Sequence, residues 1–297
     1  MIVMRTTITL LVSTAVLAAV LAGPAAAGRI VAMGDLHGDL EATRRAFRLA
    51  GATDESDRWI GGTLTVVQTG DQLDRGDQEK AILEFLDRLQ DEARAAGGAV
   101  HLLNGNHELM NARPDLRYVT EGGFADFEGA VPIAAEDSLL LAYEPSQRSR
   151  VAAFRPGAPY AVLLADRPAV PVLDGNVFVH GGALPMHLDY GLDRLNAEVR
   201  AWLLGEAEPP AFIHTGESPT WTRDYSDEVD ADDCAQLEEV LERLGARRMI
   251  VGHTVQEDGI GPLCDERVWC IDAGLSEYYG GRIEVLEIDG DEIKILR

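Results

Sequence analysis

Short apolar runs alternate with amphipathic stretches through the first third of the chain after residue 28. Runs rich in apolar and β-branched residues at 29–33, 63–69 and 99–103 predict three strands. Between them, apolar residues recur at helical spacing over 39–49 and 78–96, which predicts two amphipathic helices. This order, with its short connections, is typical of a βαβαβ unit with parallel strands and right-handed crossovers. The sequence therefore predicts an α/β fold.

The rest of the chain adds further strands and one weakly patterned stretch. Asp-Gly pairs at 174–175 and 289–290 predict hairpins over 170–179 and 282–296, the first with a type I′ turn. The pattern also predicts a helix over 232–244 and strands over 248–251 and 268–272. The pattern is weak between Arg113 and Pro168, where we expect an inserted, cap-like or irregular region. No internal repeat or clear linker interrupts 28–297, so we expect one domain.

Residues 1–27 have the features of a secretory signal peptide. Arg5 is their only charged residue, the stretch 10–21 is strongly apolar, and Gly23-Pro24 and three alanines follow. We predict cleavage after Ala27 and a periplasmic or secreted location in a bacterium. The alternative is an uncleaved anchor, because a run of about 20 apolar residues spans a bilayer.

Acidic residues greatly outnumber basic ones. The 297-residue chain has 50 Asp and Glu against 26 Lys and Arg, a formal net charge of −24. A nucleic-acid backbone or an anionic membrane is therefore not expected as the main partner, and no stable membrane association is expected after signal cleavage.

Three cysteines in an exported chain allow one disulfide. Cys264 and Cys270 flank a short polar stretch, so a local disulfide between them is one expectation and leaves Cys234 free. Buried free thiols are the alternative.

A polar, glycine-containing cluster follows each of five predicted strands. The first three clusters read Gly-Asp-Leu-His-Gly at 34–38, Gly-Asp-Gln-Leu-Asp-Arg-Gly at 70–76 and Gly-Asn-His-Glu at 105–108. His-Gly-Gly at 180–182 and Gly-His-Thr at 252–254 complete the set. The carboxyl ends of parallel strands share one edge of a sheet, so we expect the clusters to converge in one crevice.

The clusters supply six donors suited to metal ions: Asp35, His37, Asp71, Asn106, His180 and His253. Carboxylate, amide oxygen and imidazole together favour Mn²⁺, Fe²⁺ or Zn²⁺. Six donors are too many for one catalytic ion that keeps open positions. We therefore expect two divalent ions that share Asp71, about 3.5–4 Å apart, as in two-metal phosphoryl transfer. Their charge would attract phosphate to a site in an acidic protein.

The five clusters resemble those of the calcineurin-like metallophosphoesterases. The intact Gly-Asp-x-x-Asp-Arg-Gly and Gly-Asn-His-Glu motifs resemble the phosphoprotein phosphatase branch. The export signal, the segment 70–77 and Gly-Leu-Ser-Glu-Tyr-Tyr-Gly-Gly at 274–281 look most like the Shewanella-like protein phosphatases. The resemblance covers 29–281 and implies mixed β-sheets packed as a sandwich between helices. It also implies a dinuclear site at the strand ends, in a catalytic domain of 28–297 with 113–168 inserted.

The resemblance also divides the ligands between the two ions. The first ion would be held by Asp35, His37 and Asp71, and the second by Asp71, Asn106, His180 and His253. Many relatives carry another histidine where this chain has Val255, a departure that fits the phosphoprotein phosphatase branch. Manganese is the expected metal, with iron or zinc as alternatives.

The implied reaction is hydrolysis of a phosphate monoester in one displacement. A hydroxide that bridges the metals would attack phosphorus in line, without a covalent intermediate. His107 would act as general acid toward the leaving oxygen, with Asp74 orienting its ring. Arg75 would bind the non-bridging phosphate oxygens, because its planar fork matches their geometry. Arg223 is the expected second arginine of the site.

The expected substrate is a protein or peptide phosphorylated on Ser, Thr or Tyr, or a small phosphomonoester. A dinucleoside polyphosphate or phosphodiester hydrolase on the same scaffold is an alternative, as is a non-catalytic metal-binding module. Asp74 argues against the dinucleoside polyphosphate hydrolases, which tend to lack this acid. A diester would fit poorly between two arginines.

Overall fold

The computed structural model describes residues 28–134 and 136–297. The predicted signal peptide lies outside these residues and stays a prediction. No helix within the described ranges is long and apolar enough to cross a membrane.

Ten strands are found in the described part of the chain: β1 (Ile30–Met33), β2 (Thr65–Gln68), β3 (Ala99–Leu102), β4 (Val172–Leu173), β5 (Asn176–Val179), β6 (Arg248–Val251), β7 (Gly261–Leu263), β8 (Val268–Cys270), β9 (Val285–Asp289) and β10 (Glu292–Leu296). Its α-helices are α1 (Leu40–Leu49), α2 (Glu79–Ala96), α3 (Asn106–Ala112), α4 (Glu121–Asp126), α5 (Arg148–Phe154), α6 (Pro159–Ala165), α7 (Pro185–Tyr190), α8 (Leu192–Leu203) and α9 (Ala231–Leu244). Short 3₁₀-helices span Leu140–Ala142 and Glu277–Tyr279.

The strands form two mixed sheets of five strands each. The first has the order β10-β9-β1-β2-β3, in which β1, β2 and β3 are parallel and β9 and β10 run antiparallel to their neighbours. The second has the order β4-β5-β6-β8-β7, with β5, β6 and β8 parallel. The predicted βαβαβ unit and the mixed sheets are confirmed.

The two sheets pack face to face. Because alternate residues of a strand point to opposite faces of its sheet, each strand contributes side chains both to the layer between the sheets and to the outer layer. Ala32 of β1 belongs to the apolar cluster between the sheets, together with Phe178 of β5 and Ile250 of β6. Its neighbours Val31 and Met33 pack on the other face, in the cluster that includes residues of α1 and α2. All five side chains are fully buried. The result is the expected sandwich flanked by helices.

Local capping and turn chemistry fix several predicted boundaries. Asp39 caps α1, its Oδ1 accepting a hydrogen bond of 2.9 Å from the Ala42 amide. In the hairpin between β4 and β5, Asp174 and Gly175 both have positive φ, 48° and 73°. Two consecutive positive φ values are what a type I′ turn requires.

Residues 113–168 follow a more regular path than the sequence pattern predicts. They contain α4, α5, α6 and one 3₁₀-helix. Phe127, Phe154 and Leu164 from this stretch are fully buried in a cluster with the helix-facing side of the second sheet. The sequence pattern does not reveal these helices, because they are too short for their periodicity to stand out. That the stretch is an inserted, cap-like region stays a prediction.

The expected disulfide between Cys264 and Cys270 is wrong. The structure joins Cys234 of α9 to Cys264, just after β7, with a Cα–Cα distance of 5.3 Å. Cys270 is a buried free thiol at the end of β8, where it pairs across the hairpin with Gly261. Closeness in sequence misleads here, because the register of the hairpin places Gly261 opposite Cys270, while Cys264 lies three residues further along, beyond the end of β7.

Candidate active site

The ends of five parallel strands bring the predicted metal ligands together. Asp35 follows β1, Asp71 follows β2 and Asn106 follows β3, while His180 and His253 follow β5 and β6 of the second sheet. All of them, and His37, are less than 9% exposed. The expected crevice therefore lies where the carboxyl ends of both sheets meet.

Asp71 lies at the centre of this group. Its Oδ2 is 3.2 Å from Nε2 of His180 and 3.7 Å from Nε2 of His37. Nε2 of His37 is also 3.7 Å from Oδ2 of Asp35, and Nε2 of His180 is 2.9 Å from Oδ1 of Asn106. The predicted sharing of Asp71 between two ions fits this central position.

Backbone carbonyls orient the three histidines. Nδ1 of His37 is 3.0 Å from the Leu73 carbonyl, and Nδ1 of His180 is 3.0 Å from the Thr69 carbonyl. Nε2 of His253 is 3.1 Å from the Trp221 carbonyl. Because a carbonyl only accepts, each of these ring nitrogens donates. In the neutral rings of His37 and His253 the other nitrogen therefore carries a free lone pair. This is the usual outer contact of a metal-binding histidine.

Two of the predicted ligand histidines, His37 and His253, are held neutral. Burial, and then the charge of His107, lowers the pKa of His37 to about 4. Burial, and then His180, holds the pKa of His253 well below its usual range. Neutral imidazole is the form that binds a metal ion.

Two buried carboxyl groups at the site, those of Asp35 and Asp272, have too little positive charge around them and therefore suit a site for cations. Burial raises the pKa of Asp35 well above its usual range, and the charges of Asp272 and Asp71 add to the effect. Burial likewise raises the pKa of Asp272 to about 6, and its Oδ2 is buried without a hydrogen-bond donor among the described residues. Carboxylates, lone pairs and an amide oxygen that face one another form a donor set that fits divalent cations.

The loop after β2 is strained and held by one buried carboxylate. Asp71, Asp74 and Arg75 have φ of 56°, 64° and 68°, a region that side chains rarely adopt. Glu108 accepts hydrogen bonds of 2.8–3.1 Å from the amides of Asp71, Gln72, Leu73 and Gly105. Such strain persists only where surrounding contacts fix the backbone, and it concentrates at functional sites.

Position 105, next to the central carboxylate of Asp71, has room only for glycine. A Cβ there would lie 2.1 Å from Oδ1 of Asp71 and 2.6 Å from its amide nitrogen. Any side chain would displace the central carboxylate of the site.

His107 and Asp74 form a buried pair beside the ligands. Nδ1 of His107 is 2.7 Å from Oδ2 of Asp74, and Nε2 of His107 is 3.7 Å from Oδ2 of Asp71. Burial opposes protonation of His107, but the carboxylates of Asp71 and Asp74 outweigh it and raise its pKa to about 8. The imidazolium form can therefore donate a proton from Nε2 at neutral pH.

Two arginines lie at the mouth of the site. The guanidinium of Arg75 stacks on Tyr118, 4.0 Å from the ring centroid, and Nη1 donates a hydrogen bond of 3.0 Å to the Tyr278 hydroxyl. Nε of Arg75 is buried and has no partner within the described ranges. Nη1 of Arg223 donates to the His253 carbonyl at 3.2 Å and to Oγ1 of Thr254 at 2.7 Å.

All ten predicted site residues are thus brought together. A cavity of about 80 Å³ is lined by seven of them and by Trp221 and Tyr279, among others: His37, Asp71, Arg75, Asn106, His107, Arg223 and His253. An open cleft of about 760 Å³ starts at His37 and Arg75 and runs past Asp39, Thr120 and Ser276.

Three neighbours of the site are absent from the sequence prediction. Asp272 follows β8, so the rule that polar residues at strand ends converge would have found it. Tyr118 and Arg150 come from the weakly patterned stretch, where Tyr118 stacks on Arg75 and Arg150 contacts Asp74. No local signal identifies Arg150, because α5 also contains Arg148 and its sequence does not separate a buried arginine from an exposed one.

Comparisons with known proteins agree with this geometry. The profile of the calcineurin-like phosphoesterase family matches residues 28–257. The chain is 42% identical over 296 aligned residues to Shewanella-like protein phosphatase 2 of Arabidopsis thaliana, covering 89% of this chain and 75% of the plant protein.

Solved structures share the architecture. The cold-active protein tyrosine phosphatase of a psychrophilic Shewanella species superimposes with a TM-score of 0.72 at 26% identity, over 91% of this chain and 81% of that one. A protein serine/threonine phosphatase from Saccharomyces cerevisiae matches with a TM-score of 0.58 at 15% identity, over 91% of this chain and 80% of the yeast chain. The yeast match shows the fold alone.

Proposed function

The chain belongs to the calcineurin-like phosphoesterase family, and on that premise we propose that it is a metal-dependent protein phosphatase in which His107 is the general acid. One observation carries this proposal. Six metal-competent side chains from distant parts of the chain meet at one crevice, next to the His107–Asp74 pair. A non-catalytic binding module would have no use for a protonated histidine aimed into that crevice.

Asp35, His37, Asp71, Asn106, His180 and His253 would hold two divalent ions. When bound, the ions supply positive charge that polarises the phosphoryl group and activates water. Among the described residues, Asp71 lies close both to His37 and to the pair His180 and His253, so it would suit a carboxylate shared by both ions. Glu108 and the carbonyls behind the histidines keep these donors in place before any ion arrives.

His107 would protonate the leaving oxygen. A serine or threonine phosphate leaves as a strongly basic alkoxide, so its departure needs a proton in the transition state. Asp74 accepts from Nδ1, which leaves Nε2 as the nitrogen that faces the cavity. Cations held by Asp71 would offset the charge of that carboxylate, and Asp74 would then remain the partner that favours the protonated form of His107.

Arg75 and Arg223 would bind the non-bridging oxygens of the phosphate. Both line the cavity, and Tyr118 holds the Arg75 fork in one plane. The unpartnered Nε of Arg75 is available to an oxyanion. Positive charge on two sides suits the dianion of a monoester better than the monoanion of a diester.

The cleft beside the cavity supports a substrate larger than free phosphate. Its volume of about 760 Å³ and its open form suit an extended peptide. The plant and Shewanella relatives are both named as protein phosphatases, the latter as a tyrosine phosphatase. We propose phosphorylated Ser, Thr or Tyr side chains of proteins as substrates, with small phosphomonoesters as the second candidate.

Manganese is the metal that we propose. Three imidazoles would hold a softer ion as well, but two carboxylates and an amide oxygen favour a harder one. Iron and zinc are the competing choices, and the metal content of the purified protein decides among them.

We propose that the protein is exported from a bacterial cell. The leader pattern of 1–27 supports export, as does the disulfide between Cys234 and Cys264, because such bonds persist in oxidising compartments. Fractionation of cells that produce the full chain tests this directly. Mature protein starting at Gly28 in the periplasm or medium is expected, and full-length protein in the cytoplasm would contradict it.

A substrate panel tests the catalytic proposal. Purified protein of known metal content is assayed with one peptide phosphorylated on Ser, Thr or Tyr, with p-nitrophenyl phosphate, with its bis ester and with diadenosine tetraphosphate. We expect kcat/KM for the monoesters to exceed that for the bis ester by more than about tenfold, or about 1.4 kcal/mol of transition-state binding. Faster turnover of the bis ester or of diadenosine tetraphosphate would contradict the proposal.

A further inference from the structure

Arg150 is a fully buried cation in the stretch that the sequence pattern leaves undefined. It lies on α5, and its side chain is 0% exposed. The guanidinium carbon is 5.1 Å from the Phe127 ring centroid and 5.3 Å from that of Phe154. A cation in such surroundings is costly unless every donor has a partner.

The partners of Arg150 all come from the neighbourhood of His107. Nη2 donates a hydrogen bond of 2.9 Å to Oδ1 of Asp74, and Nε donates one of 2.6 Å to Oδ1 of Asn111. Nη1 donates to the Gly123 carbonyl at 3.0 Å and pairs with the carboxylate of Glu79. The arginine thereby ties α5 to the loop after β2 and to α3.

Asp74 divides its two oxygens between Arg150 and His107. Oδ2 faces Nδ1 of His107 at 2.7 Å, while Oδ1 accepts from Arg150 and, at 2.9 Å, from Nδ2 of Asn111. The same Asn111 amide donates to the His107 carbonyl at 2.9 Å. The carboxylate cannot rotate without breaking contacts on both sides. Its plane, and with it the direction of the His107 ring, is therefore fixed.

We propose that Arg150 is a positioning residue for the general acid, acting on His107 through Asp74. The inference rests on the proposed function, because it requires His107 to donate the proton. Within the described part of the chain, Arg150 neither lines the cavity nor contacts a predicted metal ligand. A buried ion pair adds little stability compared with apolar packing of the same volume, so a stabilising role alone explains the arginine poorly.

A leaving-group comparison separates positioning from stability. General acid catalysis matters for a serine phosphate, whose leaving group is a strong base, and much less for p-nitrophenyl phosphate. The measured quantity is the ratio of kcat/KM for a phosphoserine peptide to kcat/KM for p-nitrophenyl phosphate, on protein whose bound metal is counted. Loss of folded protein or of metal lowers both rates together and leaves the ratio unchanged.

The variants are Arg150→Met, Arg150→Lys, and Arg150→Met combined with Glu79→Gln. The double variant replaces the buried carboxyl group of Glu79, which Arg150→Met leaves without its partner, by a neutral amide, so it carries the test if the single variant does not fold. Arg155→Met is the matched control: Arg155 follows α5, and its ion pair with Asp137, at 2.7 Å, lies on the surface. Lysine keeps the charge but not the fork, so Arg150→Lys should restore only part of the ratio.

We expect Arg150→Met to lower the ratio about tenfold or more, part of the 10²–10⁴-fold that a general acid supplies. Arg155→Met should leave it unchanged, and Arg150→Met should not lower it further in a His107→Asn background. An unchanged ratio in the Arg150 variants, or an equal fall with and without His107, would overturn the role of Arg150 alone. A His107→Asn variant with a normal ratio would instead overturn the general-acid assignment, and the positioning role with it.

Discussion

Nδ1 of His107 lies 2.7 Å from Oδ2 of Asp74, although 33 residues separate them in sequence. The contact pairs the first helical turn after β3 with the loop after β2, so the parallel β2–β3 pairing is what brings the two side chains together. The proposed proton donation therefore depends on the same strand ends that gather the proposed metal ligands.

Replacing His107 by Asn should slow the release of poor leaving groups. We expect kcat for a phosphoserine peptide to fall about 10²-fold or more, since this is the low end of general acid contributions. The fall for p-nitrophenyl phosphate should be much smaller, with bound metal unchanged. Steady-state rates together with metal analysis provide the check. Full activity of the variant on the phosphoserine peptide would refute the general-acid role.

Replacing Arg75 by Met should weaken transition-state binding without loss of metal. A hydrogen bond to a charged group contributes about 1.5–3 kcal/mol, so kcat/KM should fall about 10- to 150-fold. Arg75→Lys keeps the charge but lacks the planar fork, and we expect an intermediate value. Equal kcat/KM in wild type and Arg75→Met would show that Arg75 does not bind the phosphate.

Glu79 should make the stability of the fold depend on pH. Burial raises its pKa to about 8 despite the opposing charge of Arg150, while the unfolded chain keeps the ordinary value near 4.5. Between these values the folded state binds a proton that the unfolded state has released, so the free energy of unfolding should fall as the pH rises from about 4.5 to 8.

Glu79→Gln imitates the protonated acid and removes this dependence. At fixed metal concentration, the difference in unfolding free energy between variant and wild type should grow in favour of the variant over that pH interval. Urea titrations at several pH values measure it. A difference that stays constant from pH 5 to 8 would show that Glu79 is ionised throughout.

The disulfide between Cys234 and Cys264 should stabilise the fold without serving catalysis. Closing a loop of 30 residues by a disulfide is expected to add about 3–4 kcal/mol to the free energy of unfolding, because the bond restricts the unfolded chain. Replacing both cysteines by serine should lower the urea midpoint and leave kcat unchanged at 25 °C. Cys270→Ala is the control that keeps the bond. An unchanged midpoint in the double variant would mean that the bond does not form in the isolated protein.

The sequence was sufficient to predict the convergence of the ligands, because strand direction alone decides where Asp35, Asp71 and Asn106 meet. It was not sufficient for contacts that depend on which way a side chain points. Cys264 forms its disulfide with Cys234 rather than with Cys270, because the β7–β8 register places Gly261 opposite Cys270.

The burial of Arg150 could not be predicted from the sequence either. Nothing in the local pattern of α5 tells a buried cation from a surface one, since its partners Asp74, Glu79 and Asn111 all precede it by at least 39 residues. Asp272, in contrast, follows β8 and obeys the rule that found the predicted metal ligands, so it could have been predicted.

The central claim is that six converging donors hold two divalent ions on which hydrolysis depends. Its most direct test is a titration of chelator-treated protein with Mn²⁺, in which bound metal and phosphate release are measured on the same samples. We predict two ions per chain, activity that rises with occupancy, and loss of both in Asp71→Asn. Full turnover by metal-free protein, or normal metal content in Asp71→Asn, would contradict the claim.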